Sequence, residues 1–219
     1  MASTSDRDNL SKIFKAYDVR GLVDEQIDES LARAVGAAFV RATDAANTPG
    51  SIVVGHDMRP SSPGLARAFA AGAGTAGADV VMIGLASTDQ LYFASGRFGF
   101  PGAMFTASHN PASYNGIKLC RAHAVPVGLD TGLSDIRDRV ASGEISAAER
   151  PGQITETDVL TDYAAHLQSL VPVEGRRLTV VVDAGNGMAG HTAPAVFDKL
   201  DVDVVPMYFE LDGTFPTHE

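Results

Sequence analysis

AMFTASHNPASYNGIKL, running from Ala103 to Leu119, is an extended stretch interrupted once. Its apolar start, Met104 and Phe105, ends at Thr106 and gives way to Ser108-His109-Asn110-Pro111, which cannot continue a central strand. Pro111 has no ladder donor, and it pushes Asn110 before it out of the helical region. The chain turns through Asn115-Gly116 and becomes extended again from Ile117 to Cys120. The connection is too short for a crossover helix, so the two flanking strands are expected to be antiparallel. The bend displays the Ser108 hydroxyl and the His109 imidazole on a stiff loop, with Lys118 on the returning strand. Loops held by a rigid scaffold are where chemistry usually sits.

Around this hairpin, strands and helices alternate. Residues 1–9 are polar and expected to fray. Ile13 to Tyr17 reads as a short strand ending at Asp18-Val19-Arg20-Gly21. Leu31, Val35, Ala38 and Phe39 recur at a helical period. Residues 51–55 form a buried strand, followed by the loop 56–61 and a helix in which Ser62 caps and Pro63 takes the first position. A strand over 79–83 and a short helix capped by Thr88 lead back to the hairpin. Alternation of this kind predicts an α/β domain, and the antiparallel pair makes its sheet mixed. Beyond a polar helix at 130–141, residues 142–156 lack apolar periodicity and read as a linker. A helix from Thr157, a strand over 178–182, a helix over 189–200 and a strand over 202–208 form one further βαβ unit, incomplete as a domain.

Composition bounds the function. The 219 residues suit one or two domains, and 45% are hydrophobic, enough for a substantial core. No apolar run approaches the roughly 20 residues of a membrane span, and the N-terminus is polar and acidic rather than signal-like, so a cytoplasmic protein without membrane association is expected. Cys120 is the one cysteine, which excludes an internal disulfide or a cysteine-rich zinc site; it reads as a small apolar strand residue. The formal net charge of −10 disfavours nucleic acid as a partner and makes basic residues gathered in loops informative.

Several motifs have two readings. Ser108 as a nucleophile or phosphate carrier needs exposure, hydrogen-bond donors and nearby cations; His109, Asn110, Lys118 and Arg20 can supply them. The competing reading is an Asn-Pro turn whose serine bonds nearby backbone. A serine hydrolase is disfavoured, since there is no Gly-x-Ser-x-Gly elbow and an adjacent histidine cannot easily turn back onto its neighbour's hydroxyl. Arg20, three residues after Tyr17, is either a surface partner of Asp18 or Asp24 or a guanidinium forked onto phosphate oxygens. Arg59, Ser61 and Ser62 are either a plain helix start or an anion-friendly helix terminus supporting the site from below. Gly72, Gly74 and Gly77 match Gly-x-Gly-x-x-Gly but lie at a helix end, the reverse of the dinucleotide arrangement. Gly185, Gly187 and Gly190 do follow a strand and open a helix, with Glu210 available as a ribose acid, so a dinucleotide oxidoreductase remains an alternative. Zinc-hydrolase histidine pairs and a Gly-Lys-Ser/Thr phosphate loop are absent from the sequence.

The segment TASHNP (106–111) with NGIK (115–118) resembles the phosphoserine loop of the α-D-phosphohexomutases. YDVRG (17–21), GHDMRPSS (55–62) and the stretch 180–190 resemble that family's first active-site turn, second loop and second-domain opening, in its phosphomannomutase/phosphoglucomutase branch. The resemblance implies a mixed-sheet α/β/α first domain over 1–141, the linker 142–156, and the N-terminal part of a second α/β domain over 157–219. It implies a mutase that interconverts hexose 1-phosphate and 6-phosphate through phospho-Ser108 and a bisphosphorylated sugar. Ser108, His109, Lys118 and Arg20 would be catalytic, with Lys118 the general acid/base, while Tyr17 and Asn110 would border the sugar.

Magnesium and a sugar 1,6-bisphosphate activator are the implied cofactors, with the phosphate on Ser108 as one metal ligand. The family's D-G-D-x-D-R magnesium loop and its later sugar- and phosphate-binding segments do not occur within these residues. These 219 residues alone are therefore expected to show negligible turnover, and the full-length form is expected to be a monomer or weak dimer. A non-catalytic anion-binding remnant, pairing through an uncovered sheet edge, is the remaining alternative.

Overall fold

A computed structural model describes residues 4–43, 45, 51–143, 147–170 and 175–217. Helix α1 (Thr4–Ile13) precedes β1 (Val19–Leu22), α2 (Glu29–Thr43), β2 (Ser51–His56), α3 (Ser62–Thr75), β3 (Asp79–Leu85) and α4 (Thr88–Phe98). The hairpin β4 (Gly102–Phe105) and β5 (Tyr114–Arg121) follows, then the short β6 (Val125–Pro126), α5 (Leu133–Ser142) and β7 (Ile154–Glu156). A second unit comprises α6 (Leu160–Leu170), β8 (Leu178–Asp183), α7 (Ala189–Phe197) and β9 (Val202–Met207).

The first sheet runs β1-β5-β4-β2-β3-β7, with β6 also paired to β5. Pairings of β2 with β3 and β4 and of β3 with β7 are parallel, while β5 is antiparallel to β1, β4 and β6. The sheet is mixed, as the short Ser108 connection requires. Its central strands are apolar without interruption because helices cover both faces. Ile52, Val54, Ala103 and Phe105 enter the core beneath α2, α3 and α5, whereas Val53 and Met104 point to the opposite layer with Leu91 and Ala94 of α4. Phe69 of α3 packs edge-on against Phe105, ring centroids 5.6 Å apart. Burying such a ring stabilises by about 2 kcal/mol.

Three local expectations change. The first strand starts at Val19; Ile13 instead ends α1 and Phe14 follows it as a single bridge to Val19, the two buried to 1% and 3% exposure. Leu10, Ile13 and Phe14 share a helical face, and that spacing outweighs the short extended reading. Within the expected linker, Ile154–Glu156 forms an edge strand beside β3; its side chains are all exposed, so apolar periodicity could not reveal it. Backbone bonds fasten this stretch, from Gly152 N–H to the Gly74 carbonyl (2.8 Å) and from Gln153 N–H to Asp79 Oδ1 (2.7 Å). Finally, the α4 cap is Ser87 rather than Thr88, in a reciprocal capping box with Gln90.

In the second unit β8 and β9 are parallel, in register from Leu178 opposite Val202. Helix α6 ties this unit to the first through Tyr163, whose ring meets Phe93 at 5.8 Å, and through an Arg97–Asp162 ion pair of 3.0 Å. Among the described residues no helix is long and apolar enough to cross a membrane.

Candidate active site

Strand β2 is followed by α3 and β3 on one side, while β4 lies on its other side. The crevice at the C-terminal ends of β2 and β4 is thus a topological switch point, where open α/β sheets bind ligands. Two loops leave the sheet there: residues 57–61 after β2 and 106–113 after β4. Asp57 N–H joins them at the root by donating to the Phe105 carbonyl (2.9 Å).

Ser108 sits at the exposed tip with φ +51°, a left-handed conformation that a serine adopts at some cost. Its N–H donates to Thr106 Oγ1 (3.0 Å), and the Asn110 N–H closes a turn onto the Ala107 carbonyl (3.0 Å). The loop is held from beneath by Arg59, which is wholly buried. Arg59 Nη1 donates to the carbonyls of Pro111 and Tyr114 (both 2.9 Å), and Nη2 to those of Ser108 (3.0 Å) and Asn110 (2.7 Å). Four backbone acceptors on one planar fork over-determine the loop's shape.

Asp57 balances the buried charge. Its Oδ2 lies 3.3 Å from Arg59 Nε, close enough to pair electrostatically though not aligned as a hydrogen bond. Burial pushes the Arg59 guanidinium below its ordinary value, Asp57 opposes this, and Arg20 adds a smaller repulsion. The group nonetheless stays charged at neutral pH. Asp57 Oδ1 accepts from Arg59 N–H (3.0 Å) and from Ser62 Oγ (2.6 Å). Asn115 Nδ2 in turn donates to Ser61 Oγ (2.7 Å) and Ser62 Oγ (2.9 Å). The two serines therefore link the loops, and neither caps α3 through its side chain.

Arg20 and Lys118 approach from neighbouring strands. Arg20 is opposite Gly116 in the β1–β5 ladder, and Lys118 is two residues further along β5, so both side chains leave the same sheet face. Arg20 Nη1 donates to Asn110 Oδ1 (2.5 Å) and the Ala107 carbonyl (3.2 Å), and Nη2 to Asp18 Oδ2 (2.5 Å). Lys118 Nζ is 3.9 Å from the same Asp18 oxygen. Two cations thus share one carboxylate, leaving this cluster net positive on a chain of net charge −10.

Arg20 joins Asp18, and through it Lys118, to the Ala107 carbonyl and the Asn110 side chain on either side of Ser108. His109 is exposed at the same tip. Asn110 is a brace, its side chain engaged by Arg20 and its carbonyl by Arg59. Tyr17 is 76% exposed and borders a separate cleft with Gly128, Leu129 and Asp130, apart from the serine cleft. Ser108 to Ala112 line a cleft of about 460 Å³ whose other wall is Gly185, Thr214 and Phe215 of the second unit. A cleft of about 510 Å³ near His56, Asp158 and His191 does not include the serine loop. Asp57, Asn115 and Phe215 are the members that sequence reasoning left out of the site, while Arg59, expected only as part of a helix start or an anion-friendly terminus below the site, holds the loop through its own side chain. For Asp57 the available signal was its place just past the end of β2, two residues before Arg59.

The Gly185–Gly190 turn has few free donors for a pyrophosphate. Gly185 N–H donates to Asp183 Oδ1, Asn186 N–H to the Tyr208 carbonyl, Gly187 N–H to Ala184 and Gly190 N–H to Gly187. Gly190 is required by packing, because a Cβ there would lie 2.1 Å from the Phe209 carbonyl oxygen. Among the described residues no group of three or more His, Cys, Asp or Glu side chains is arranged to hold a metal. Asp18 is already committed to Arg20 and Lys118, so these residues do not by themselves fit a magnesium site.

A mixed α/β/α sheet that presents a serine loop at its switch point, followed by the start of a second α/β unit, defines the class. The chain belongs to the phosphoglucomutase/phosphomannomutase family: its alpha/beta/alpha domain I matches residues 11–146 and its alpha/beta/alpha domain II matches residues 161–219. The chain is similar to a protein named phosphohexose mutases from Xanthomonas campestris pv. campestris, 41% identical over 205 residues, covering 93% of this chain and 45% of the relative. A phosphomannomutase of Escherichia coli is 39% identical over 213 residues, covering 93% of this chain and 46% of its own length. The crystal structure of a phosphoglucomutase/phosphomannomutase family protein from Burkholderia thailandensis superposes with a TM-score of 0.85 at 31% identity, covering 100% of this chain and 47% of that one. The chain spans about half the length of the curated relatives it matches.

Proposed function

We propose that this chain carries the phosphoryl-transfer half of a phosphohexomutase that interconverts hexose 1-phosphate and 6-phosphate, with Ser108 as the carrier. The observation that supports this most directly is the Ser108 tip itself: exposed, held at φ +51° by four carbonyl contacts from Arg59, and flanked by Arg20. In the reaction a free hydroxyl of the bound sugar phosphate attacks the phosphorus on Ser108. A new sugar O–P bond forms, and the Oγ–P bond breaks. Lys118 gives a proton to the departing Oγ and recovers one from the attacking hydroxyl. The bisphosphorylated sugar then presents its other phosphate, and the same steps run in reverse. Arg20 contributes a fork suited to phosphoryl oxygens, and the Arg20–Lys118 pair offsets charge as it spreads over the transferred group. Magnesium would add charge neutralisation when bound. A cytoplasmic hexose phosphate pool is the matching substrate source.

The test is intact-mass analysis of residues 1–219 after incubation with glucose 1,6-bisphosphate or mannose 1,6-bisphosphate. Wild type gains one phosphoryl group and Ser108→Ala gains none. Gain by the Ser108→Ala variant, or no gain by wild type, overturns the assignment. A coupled mutase assay on the same material is expected to show negligible turnover, and normal turnover would overturn that part.

A further inference from the structure

Arg59 uses only the edge of its guanidinium on the serine loop; the face is covered from the second unit. The Phe215 ring stands 4.9 Å from the guanidinium carbon. It is presented by a tight turn in which Thr214 N–H (2.9 Å) and Thr214 Oγ1 (2.6 Å) both bond Asp212 Oδ1, and Phe215 N–H bonds the Asp212 carbonyl (3.0 Å). The turn is anchored to its own unit by Asp212 N–H on the Asn186 carbonyl (3.0 Å). It presses so closely on the first unit that a Cβ on Gly213 would lie 2.9 Å from Arg59 Cα, 2.8 Å from Pro60 Cδ and 3.1 Å from the Met58 carbonyl oxygen. Phe215 itself has φ +53°, an uncommon conformation for an aromatic residue. Thr214 and Phe215 also line the Ser108 cleft.

These contacts divide the guanidinium's surface without conflict. In-plane N–H groups serve four carbonyls, and the π face of Phe215 attracts the cation from above. Covering that face keeps water from competing for the N–H donors, which strengthens each bond in the drier surroundings. We propose that Phe215 is a positioning residue for phosphoryl transfer: the 212–215 turn clamps Arg59, and through Arg59 it sets the conformation of the serine loop. The catalytic loop would then be ordered by docking of the second unit and not by its own unit alone. This rests on Ser108 being the phosphoryl carrier, so the test has one arm that does not depend on it.

Wild type, Phe215→Leu, Phe215→Tyr and Gly213→Ala are compared as the full 219-residue chain. The first arm measures amide hydrogen exchange over residues 107–114, with α2 as internal reference. Phe215→Leu and Gly213→Ala are expected to speed exchange in the loop about tenfold while α2 keeps its protection, and Phe215→Tyr to remain near wild type. The second arm measures the rate of phosphoryl gain against glucose 1,6-bisphosphate concentration. Phe215→Leu lowers the maximal rate about tenfold with little change in the half-saturating concentration, since the residue acts on geometry rather than on binding, and Phe215→Tyr restores it. Unchanged loop exchange in both disruptive variants overturns the proposal, as does faster exchange spread equally over α2. If Phe215→Leu fails to fold, Gly213→Ala and Phe215→Tyr carry the same comparison. Failure of wild type to gain phosphate sinks the carrier reading but leaves the exchange arm to decide the clamp.

Discussion

Nη1 of Arg20 meets Oδ1 of Asn110 at 2.5 Å across a separation of 90 residues, while Nη2 of the same guanidinium meets Asp18. Arg20 therefore braces the serine loop from the side and stands ready for an anion at its tip. Arg20→Lys keeps the charge, but one ammonium cannot span Asn110 and Asp18 in the same geometry. The expected result is a fall of about tenfold or more in the rate of Ser108 phosphorylation, with a melting change of about 1 kcal/mol equivalent or less. A rate equal to wild type would contradict the bracing role.

Arg59→Met should act mainly on stability. Removing the guanidinium strands four loop carbonyls and leaves Asp57 without its cation in a buried place. Breaking a buried charge network costs about 3–5 kcal/mol, which in a chain of this size lowers the melting temperature by roughly 10 °C. Circular dichroism melts decide this, and a shift within about 2 °C would argue against the network.

Cys120 should be chemically silent in the folded chain. It is fully buried beside Ser95, and burial pushes its thiol above the ordinary value, with the Ser95 contact opposing. Labelling by a thiol reagent at pH 8 is expected to be about a hundredfold slower, or more, than in urea. Comparable rates in the two states would show the strand β5 to be loosely held.

His191 predicts an acid weakness between the units. Burial lowers its imidazole below the ordinary value, Asp158 opposing, in the cleft shared with His56, Arg67 and Glu156. The unfolded state then binds the proton more tightly than the folded state. Its contribution is complete above about pH 6.5 and is lost as pH falls from there toward the lowered folded value. Melting temperatures of wild type should drop between pH 7.5 and 5.5 more than those of His191→Asn. Parallel pH profiles would remove His191 as the cause.

Gly190→Ala places a methyl group against the Phe209 carbonyl and should destabilise by about 1–3 kcal/mol in urea unfolding. NAD titration should leave both proteins' stabilities unchanged. Stabilisation by NAD that Gly190→Ala abolishes would revive the dinucleotide reading of this turn.

Much of this was legible residue by residue. Pro111 and the Asn115-Gly116 turn dictate an exposed bend between antiparallel strands, and the periods of Leu31 to Phe39 and of residues 178–182 mark their helix and strand. Such signals are local, because backbone restriction and side-chain spacing act within a few residues of chain. The edge strand β7 escaped because an exposed strand held by backbone bonds carries no side-chain pattern. The grip of Arg59 on the serine loop escaped for a different reason: its partners lie 49 to 55 residues away and are carbonyl oxygens, which every residue possesses and no sequence distinguishes. The amino-acid order by itself determined where a serine would be thrust out of a mixed sheet. Only the closed tertiary structure decided which guanidinium would hold it there and which ring would cover that guanidinium, because both choices depend on surfaces that meet after the chain has folded.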